Sequence, residues 1–382
     1  MKLAVLTETA AGEARVSIVP DSVRALRELG FEVAVQAGAG ASASFADAAY
    51  QNAGAALVPT AAEALAGAAV VARVRAPSLA EARQLPRRCV LLGTLDALRD
   101  PDLIAQLALG NVTAIAMELI PRITRAQSMD VLSSQATVAG YRAALIAAAS
   151  APRFFPMLMT AAGTIAPAKV LVLGAGVAGL QAIATARRLG AVVSAFDIRP
   201  AVKEQVESLG AAFVGVQLSG AETAGGYAKE LSEDEQKRGH EHLAKLVRDV
   251  DVVIATAQVP GRPAPRLITA DMIEGMKPGS VIVDIAAETG GNVELTRAGE
   301  EVVVNGVHIL GPVNLATGLP THASQMYSRN LTTLLGHMVN DGNIRIDLAD
   351  EIVGSACVAH DGQSRIADGR PPIPLATVPQ PA

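Results

Sequence analysis

Residues 170–179 read Val170-Leu-Val-Leu173 and run directly into Gly174-Ala-Gly176-Val-Ala-Gly179, ahead of an alanine-rich segment. Four apolar residues of strand-forming type followed by a G-x-G-x-x-G loop and a helical pattern mark the opening of a βαβ unit. Each glycine has its own task. Gly174 makes the tight strand-to-helix turn, and Gly176 lets the backbone approach a pyrophosphate. Gly179 lets helix and strand pack closely. The helix that follows offers free N–H groups and the positive end of its dipole to phosphate. A second strand pattern at 192–197 ends on Asp197, about 20 residues on, where a carboxylate accepts the hydroxyls of an adenosine ribose. That charge repels a 2′-phosphate, so NAD is expected over NADP, although Arg199 close by can accommodate a 2′-phosphate. The plainer alternative is a glycine-rich turn with Asp197 as a cap.

Outward from this stretch the chain keeps alternating. Strand patterns fall at 2–6, 32–36, 70–74, 89–93 and 112–117, with helical patterns at 21–29, 45–53, 61–66 and 101–109 between them. Asp21 and Thr60 stand at N-cap positions, and Gly30 and Gly54 where helices stop. A long alanine-rich helix is expected at 131–149, broken off before Pro152. After it the series resumes with a strand at 170–173, a helix at 179–189, a strand at 192–197 and a helix at 202–209. Buried strands are expected at 252–255, 281–285 and 302–304. Such alternation predicts an α/β fold with parallel sheets. The segment after 312 is too short to stand alone, and a helix at 324–339 is expected to return to the first domain. The organisation predicted is two Rossmann-like domains, with an NAD cleft between them and the first domain discontinuous. The boundaries are 1–128 plus 312–382 for the first and 129–311 for the NAD-binding one.

Composition narrows the function classes. The 382 residues are 50% hydrophobic but only 3% aromatic, with no Trp, so the apolar mass is Ala, Val, Leu and Ile. That suits helices packed on buried parallel strands. A net charge of −5 leaves no basic footprint for nucleic acid. Cys89 and Cys357 have no metal-ligand spacing and fit a reducing compartment. Mean hydropathy is high, at +0.33. The longest uncharged stretches, 154–168 and 170–186, nevertheless carry Pro156, Gly163 and Pro167, or the three loop glycines, which suit no lipid-facing span. The start, with Glu8 soon after the short apolar run, reads as a strand and not a signal peptide. The proline-rich tail from 370 is expected to be disordered or a linker toward a partner.

The run from Arg122 to Gln135 (RITRAQSMDVLSSQ) is the most unusual in the chain. On a helix, Gln127, Asp130 and Ser133 share one face. Such a face suits an amide-bearing ring such as nicotinamide; it equally suits a solvated helix start with Asp130 a surface carboxylate. A third feature is 219–239, where Gly220, Gly225 and Gly226 flank Tyr227. It reads as an exposed loop or as a lid with glycine hinges.

PRITRAQSMDVLSSQ, together with MTAAGT, LGAGVAGLQAIATARRLGA, KEQVESLGA, AETAGGYAKE and VPGRPAP, resembles the proton-translocating nicotinamide nucleotide transhydrogenases. The resemblance is to their soluble NAD(H)-binding component and covers nearly the whole chain. It implies that Arg122, Gln127, Asp130 and Ser133 line the nicotinamide end. It also implies that Gly174, Gly176, Val177 and Gly179 hold the pyrophosphate, and Asp197, Ile198 and Arg199 the adenosine ribose. Gly226, Tyr227 and Gln258 complete the implied site, with the 219–239 loop as a lid. Implied partners are a second copy of the chain, a membrane-spanning subunit and an NADP(H)-binding subunit. The component would then sit in the cytoplasm, peripheral on the inner face of the membrane. The chain reaches Ala382 with no hydrophobic span, which points to a membrane domain on a separate polypeptide.

Alanine dehydrogenases share the architecture and are the competing resemblance. Arg15 matches a substrate anchor there, Arg73 stands where a lysine would, and Asp284 matches a catalytic aspartate. Thr94 stands where that pattern has a histidine, and threonine is no general base near neutral pH. Direct hydride transfer between two nicotinamide rings needs orientation and close approach but no proton relay at that step. Thr94 therefore fits transhydrogenation, and leaves Arg15, Arg73 and Asp284 as ion pairs or caps.

Overall fold

The computed structural model describes residues 1–215, 233–259, 262–366, 370–372 and 374, with the backbone alone at 233–237. The chain forms two compact units, Met1–Gln135 with Thr317–Ala382, and Ala136–Ala316. The helix Val131–Ser150 begins in the first and continues into the second.

The first unit is built on an eight-stranded sheet. Its parallel part runs Ala56–Val58, Glu32–Gln36, Lys2–Val5, Val70–Arg75, Val90–Thr94, Thr113–Ala116, which in chain order is 3-2-1-4-5-6. Cys357–His360 joins antiparallel to Thr113–Ala116, and Gln363–Ser364 pairs with it at the edge. Leu3, Val5, Val70, Ala72 and Leu92 pack on one face, and Ala4, Val71, Leu91 and Ala114 on the other. A strand buried on both faces is apolar at nearly every position, and these are, the buried Arg73 and Thr113 being the exceptions. Thr60 caps Ala61–Leu65 by accepting from Glu63 N at 3.2 Å. Gly30 and Gly54, at φ +89° and +93°, follow helix ends in the left-handed region that glycine alone enters freely. The helix Pro320–Met338 buries Ala323, Tyr327, Leu331 and Leu335 in this unit.

The second unit repeats the plan in a seven-stranded sheet. Its parallel order is Ala212–Phe213, Val192–Phe196, Lys169–Leu173, Val252–Ala255, Val281–Asp284, Val307–Leu310, again 3-2-1-4-5-6. This is the doubly wound α/β arrangement. Its crevice opens between the first and fourth strands, beyond their C-terminal ends. Here those ends are Leu173 and Ala255, so the glycine loop sits at the switch point.

Three expectations are corrected. Residues 302–304 are not a buried parallel strand. Glu301–Val304 alternates between exposed and half-buried and pairs antiparallel with Val307–Leu310 at the sheet edge. The turn between is Asn305-Gly306, at φ +51° and +75°, a pair suited to a tight hairpin. Asp21 is not an N-cap, because Val19 holds that position and Pro20 opens the helix, leaving Asp21 in the first turn. The polar run 127–133 is not on one helix face. Thr124–Met129 is a 3₁₀ segment, Asp130 is extended, and the α-helix starts at Val131. Among the described residues no helix is long and apolar enough to cross a membrane.

Candidate nucleotide-binding site

Gly174 leaves the central strand at φ +90°, and its N–H donates to Phe196 O at 2.8 Å. The helix Val177–Arg188 begins three residues later with Gly176 at its N-cap. A Cβ on Gly179 would collide with the carbonyl oxygen of Gly174 and lie 3.0 Å from Thr256 Oγ1. That position is closed to side chains by packing. Among the described residues a Cβ on Gly176 would meet no atom within 4 Å, so its backbone is open there at the helix start. Val177, 37% exposed, stands beside it. Bare backbone, an open approach and the N-terminus of a 12-residue helix suit a pyrophosphate.

Asp197 follows the second strand and is 6% exposed. Its Oδ2 accepts from Ala175 N at 2.7 Å, and its Oδ1 from Arg199 N at 2.9 Å. The Arg199 guanidinium adds Nε to Oδ1 at 3.0 Å and Nη2 to Oδ2 at 2.7 Å. The carboxylate thus ties the glycine loop to the end of the neighbouring strand. Ile198 between them is half-buried against the core. The residues present therefore fit the phosphates and ribose of a dinucleotide.

Supporting residues carry no signal in the sequence. Thr256 donates its hydroxyl to both Leu173 O and Gly174 O at 3.0 Å, bracing the loop from the fourth strand. Asn292, fully buried, accepts from Ala257 N at 2.9 Å and donates to Ala257 O and Pro265 O at 2.8 Å. Beside it Gln258 is exposed and donates Nε2 to Ile285 O at 3.1 Å. Thr256 and Asn292 are single polar residues in apolar or turn sequence. Only the tertiary fold shows whose carbonyls they serve.

In the first unit, Asp130 caps the helix Val131–Ser150. Its Oδ1 accepts from Ser133 N at 2.9 Å and its Oδ2 from Ser133 Oγ at 2.6 Å. Arg122 Nε stands 3.8 Å from Asp130 Oδ2. The structure so brings Arg122, Asp130 and Ser133 together. Gln127 is exposed within the 3₁₀ segment, which Asn330 fastens by donating Nδ2 to Ser128 O at 2.7 Å. The glycine-loop residues and Asp197 form the corresponding group in the second unit. Gly226 and Tyr227 lie outside the described residues, as does most of the segment expected to form a lid.

Comparison with known proteins places the chain. The family described as "Alanine dehydrogenase/PNT, N-terminal domain" matches residues 4–139, and "Alanine dehydrogenase/PNT, C-terminal domain" matches 143–366. The chain belongs to the alanine dehydrogenase/PNT family. Within the family it is 49% identical to an NAD(P) transhydrogenase subunit alpha chain of Rhodospirillum rubrum, over 95% of this chain and 97% of that one. It is similar to the crystal structure of a transhydrogenase from Sinorhizobium meliloti, with a TM-score of 0.88 and 44% identity. That match covers 95% of this chain and all of that one. The alanine dehydrogenase of Halomonas elongata is more distant, 30% identical over 95% of this chain and 94% of that one.

Arg15, Arg73, Thr94 and Asp284, which the dehydrogenase resemblance singles out, each have partners within their own unit. Arg15 is held by Glu13 through Nε at 2.7 Å and Nη2 at 2.6 Å, and donates Nη1 to Gln135 at 2.8 Å. Arg73 is buried at the switch point of the first sheet, with Glu81 at 2.9 Å and Glu8 at 3.5 Å. Burial pushes the Glu8 carboxyl up, against the lowering by Arg73 and the N–H groups of Val74 and Arg75. Thr94 Oγ1 lies 3.3 Å from the Tyr327 hydroxyl. In the second unit, Asp284 accepts from Ala286 N at 3.0 Å, Val293 N at 3.0 Å and Thr296 Oγ1 at 2.8 Å. Burial raises its pKa while those bonds lower it. Both guanidinium groups face carboxylates of the chain itself, and Asp284 pins a loop.

Proposed function

We propose that this chain is the NAD(H)-binding component of a proton-translocating nicotinamide nucleotide transhydrogenase. The observation that carries the reading is Asp197, a buried carboxylate beside a glycine loop that is open at Gly176 among the described residues, at the switch point. The main chain at Gly176 and Val177 holds the pyrophosphate, and Asp197 accepts from the ribose diol while opposing a 2′-phosphate. We assign Arg122, Gln127, Asp130 and Ser133 to the nicotinamide carboxamide, with Asp130 fixed by its capping bonds to Ser133. The residues Ile198, Arg199 and Gln258 border the adenosine half, and Gly226 and Tyr227 are assigned to the lid. When bound, the nicotinamide ring carries the hydride. The protein's work is to orient that ring and exclude water, a proximity effect without a proton relay.

NADP(H) is assigned to a partner subunit, and proton translocation to a membrane-spanning one. This component is a homodimer held at the cytoplasmic face of the membrane through those partners. The relatives' names, which designate a subunit alpha, support such an assembly. The engagement of Arg15 by Glu13 and of Arg73 by Glu8 and Glu81 argues against amino-acid dehydrogenation, since neither guanidinium is left to anchor a carboxylate alone.

Fluorescence titration of the purified chain tests the reading. Saturable NADH binding is expected, with NADPH weaker and no NADH formed from NAD⁺ and L-alanine. Tight NADPH binding, or alanine-dependent NADH formation, would overturn it.

A further inference from the structure

An ionised carboxylate offers about four acceptor positions. All four on Asp197 have a donor: two main-chain N–H groups, of Ala175 and Arg199, and two guanidinium N–H groups of Arg199. The main-chain pair is fixed by the glycine loop and by the turn at Arg199. The guanidinium pair sits on a side chain that is 13% exposed, against 5% for Asp197, so water reaches it from the Arg199 side. Pro200 follows and holds the Arg199 backbone extended, at φ −86° and ψ 117°. What can leave is the side chain alone.

A ribose cis-diol brings two hydroxyl donors, which match the two guanidinium bonds one for one. We infer that Arg199 is a displaceable occupant of Asp197, and that this displacement sets the balance between the 2′-hydroxyl and the 2′-phosphate nucleotide. The inference rests on the assignment of Asp197 to the adenosine ribose. Binding of the diol is an exchange and not a gain, because each hydroxyl bond formed replaces a charge-assisted one. Once displaced, the guanidinium stays tethered two residues from Asp197. It is then in reach of a 2′-substituent, and its fork pairs well with phosphate. Asp197 therefore disfavours NADP(H), while Arg199 weakens NAD(H) and favours a 2′-phosphate.

The test is calorimetric titration of the intact chain and its Arg199→Met variant with ADP, 2′-deoxy-ADP, NADH and NADPH. Methionine keeps much of the stem and removes the fork. In the variant, ADP and NADH are expected to bind about tenfold tighter, the scale of one charge-assisted bond no longer displaced. The gain for 2′-deoxy-ADP should be clearly smaller, and NADPH should bind more weakly than to the intact chain. Weaker ADP binding, or equal shifts for ADP and 2′-deoxy-ADP, would overturn the inference. Asp197→Asn in the otherwise intact chain separates the two failures. If it leaves the ratio of ADP to 2′-deoxy-ADP affinity unchanged, the ribose assignment itself is wrong, and the inference falls with it. Arg199→Lys, which keeps the charge without the fork, should fall between intact chain and Arg199→Met, and serves if the methionine variant does not fold.

Discussion

Gly176→Ala separates binding from folding at the nucleotide loop. Gly176 has φ −79° and ψ −167°, extended backbone that alanine adopts without strain. Among the described residues its Cβ would meet no atom within 4 Å. Alanine is a poorer N-cap than glycine, but it also lowers the entropy of the unfolded chain by about 0.4–1 kcal/mol, and the two effects offset. The net stability change should stay within about 1 kcal/mol, or roughly 2–4 °C in Tm for a unit of this size. Binding should respond differently. A methyl on the open face holds phosphate off the main chain, and losing one charge-assisted bond there costs about 1.5–3 kcal/mol, roughly 10- to 150-fold in Kd. Thermal unfolding and NADH titration of the same preparation read both quantities. Gly179→Ala is the contrast, since its Cβ collides with Gly174 O, and overpacking of that kind costs about 1–3 kcal/mol or more. An unchanged NADH affinity in Gly176→Ala, or a Tm loss as large as that of Gly179→Ala, would refute the reasoning.

Further expectations follow from other contacts. Asn292→Ala removes three buried hydrogen bonds to the loop at Ala257 and Pro265, and should cost about 3 kcal/mol in denaturant unfolding. Asp130→Ala takes the cap from Val131–Ser150, at about 1 kcal/mol, and frees Arg122 from its carboxylate; chemical denaturation reads the first effect and NADH titration the second. Asp350 caps Glu351–Ala356 and faces Arg125 and His337. Burial alone would raise its pKa, but the Val353 N–H and the side chains of His337 and Arg125 bring it down to about 2. Its contribution is therefore complete above its ordinary value of 3.8 and is lost as pH falls through about 2. Acid unfolding of Asp350→Asn should be flatter than that of the intact chain across this window. A parallel loss in both would assign the acid sensitivity elsewhere.

The α/β layering was legible because parallel strands covered on both faces cannot hide. The runs 32–36 and 252–255 are the observed strands residue for residue, and the switch-point glycines announce themselves by spacing. Legibility failed where a residue's role depends on a neighbour distant in the chain. Spacing alone put Gln127, Asp130 and Ser133 on a helix. The Asp130 carboxylate instead takes the N–H and hydroxyl of Ser133, and starts the helix at Val131. Three valines in a row at 302–304 look buried, yet the Asn305-Gly306 turn folds them back as an edge strand that needs cover on one face only. Thr256 and Asn292 carry no motif, and they matter through the carbonyls the fold brings to them. The Arg199 fork on Asp197 was visible in sequence only as a charge two residues away.

The most direct measurement mixes the purified chain with NADH and an NADP(H)-binding transhydrogenase subunit loaded with an NADP⁺ analogue that absorbs at its own wavelength on reduction. Direct hydride transfer predicts rapid reduction of the analogue at the rate NADH is oxidised. It also predicts a rate dependent on both proteins and a marked loss with Gly176→Ala in this chain. No reduction in the mixture, while each protein still binds its own nucleotide, would contradict the account.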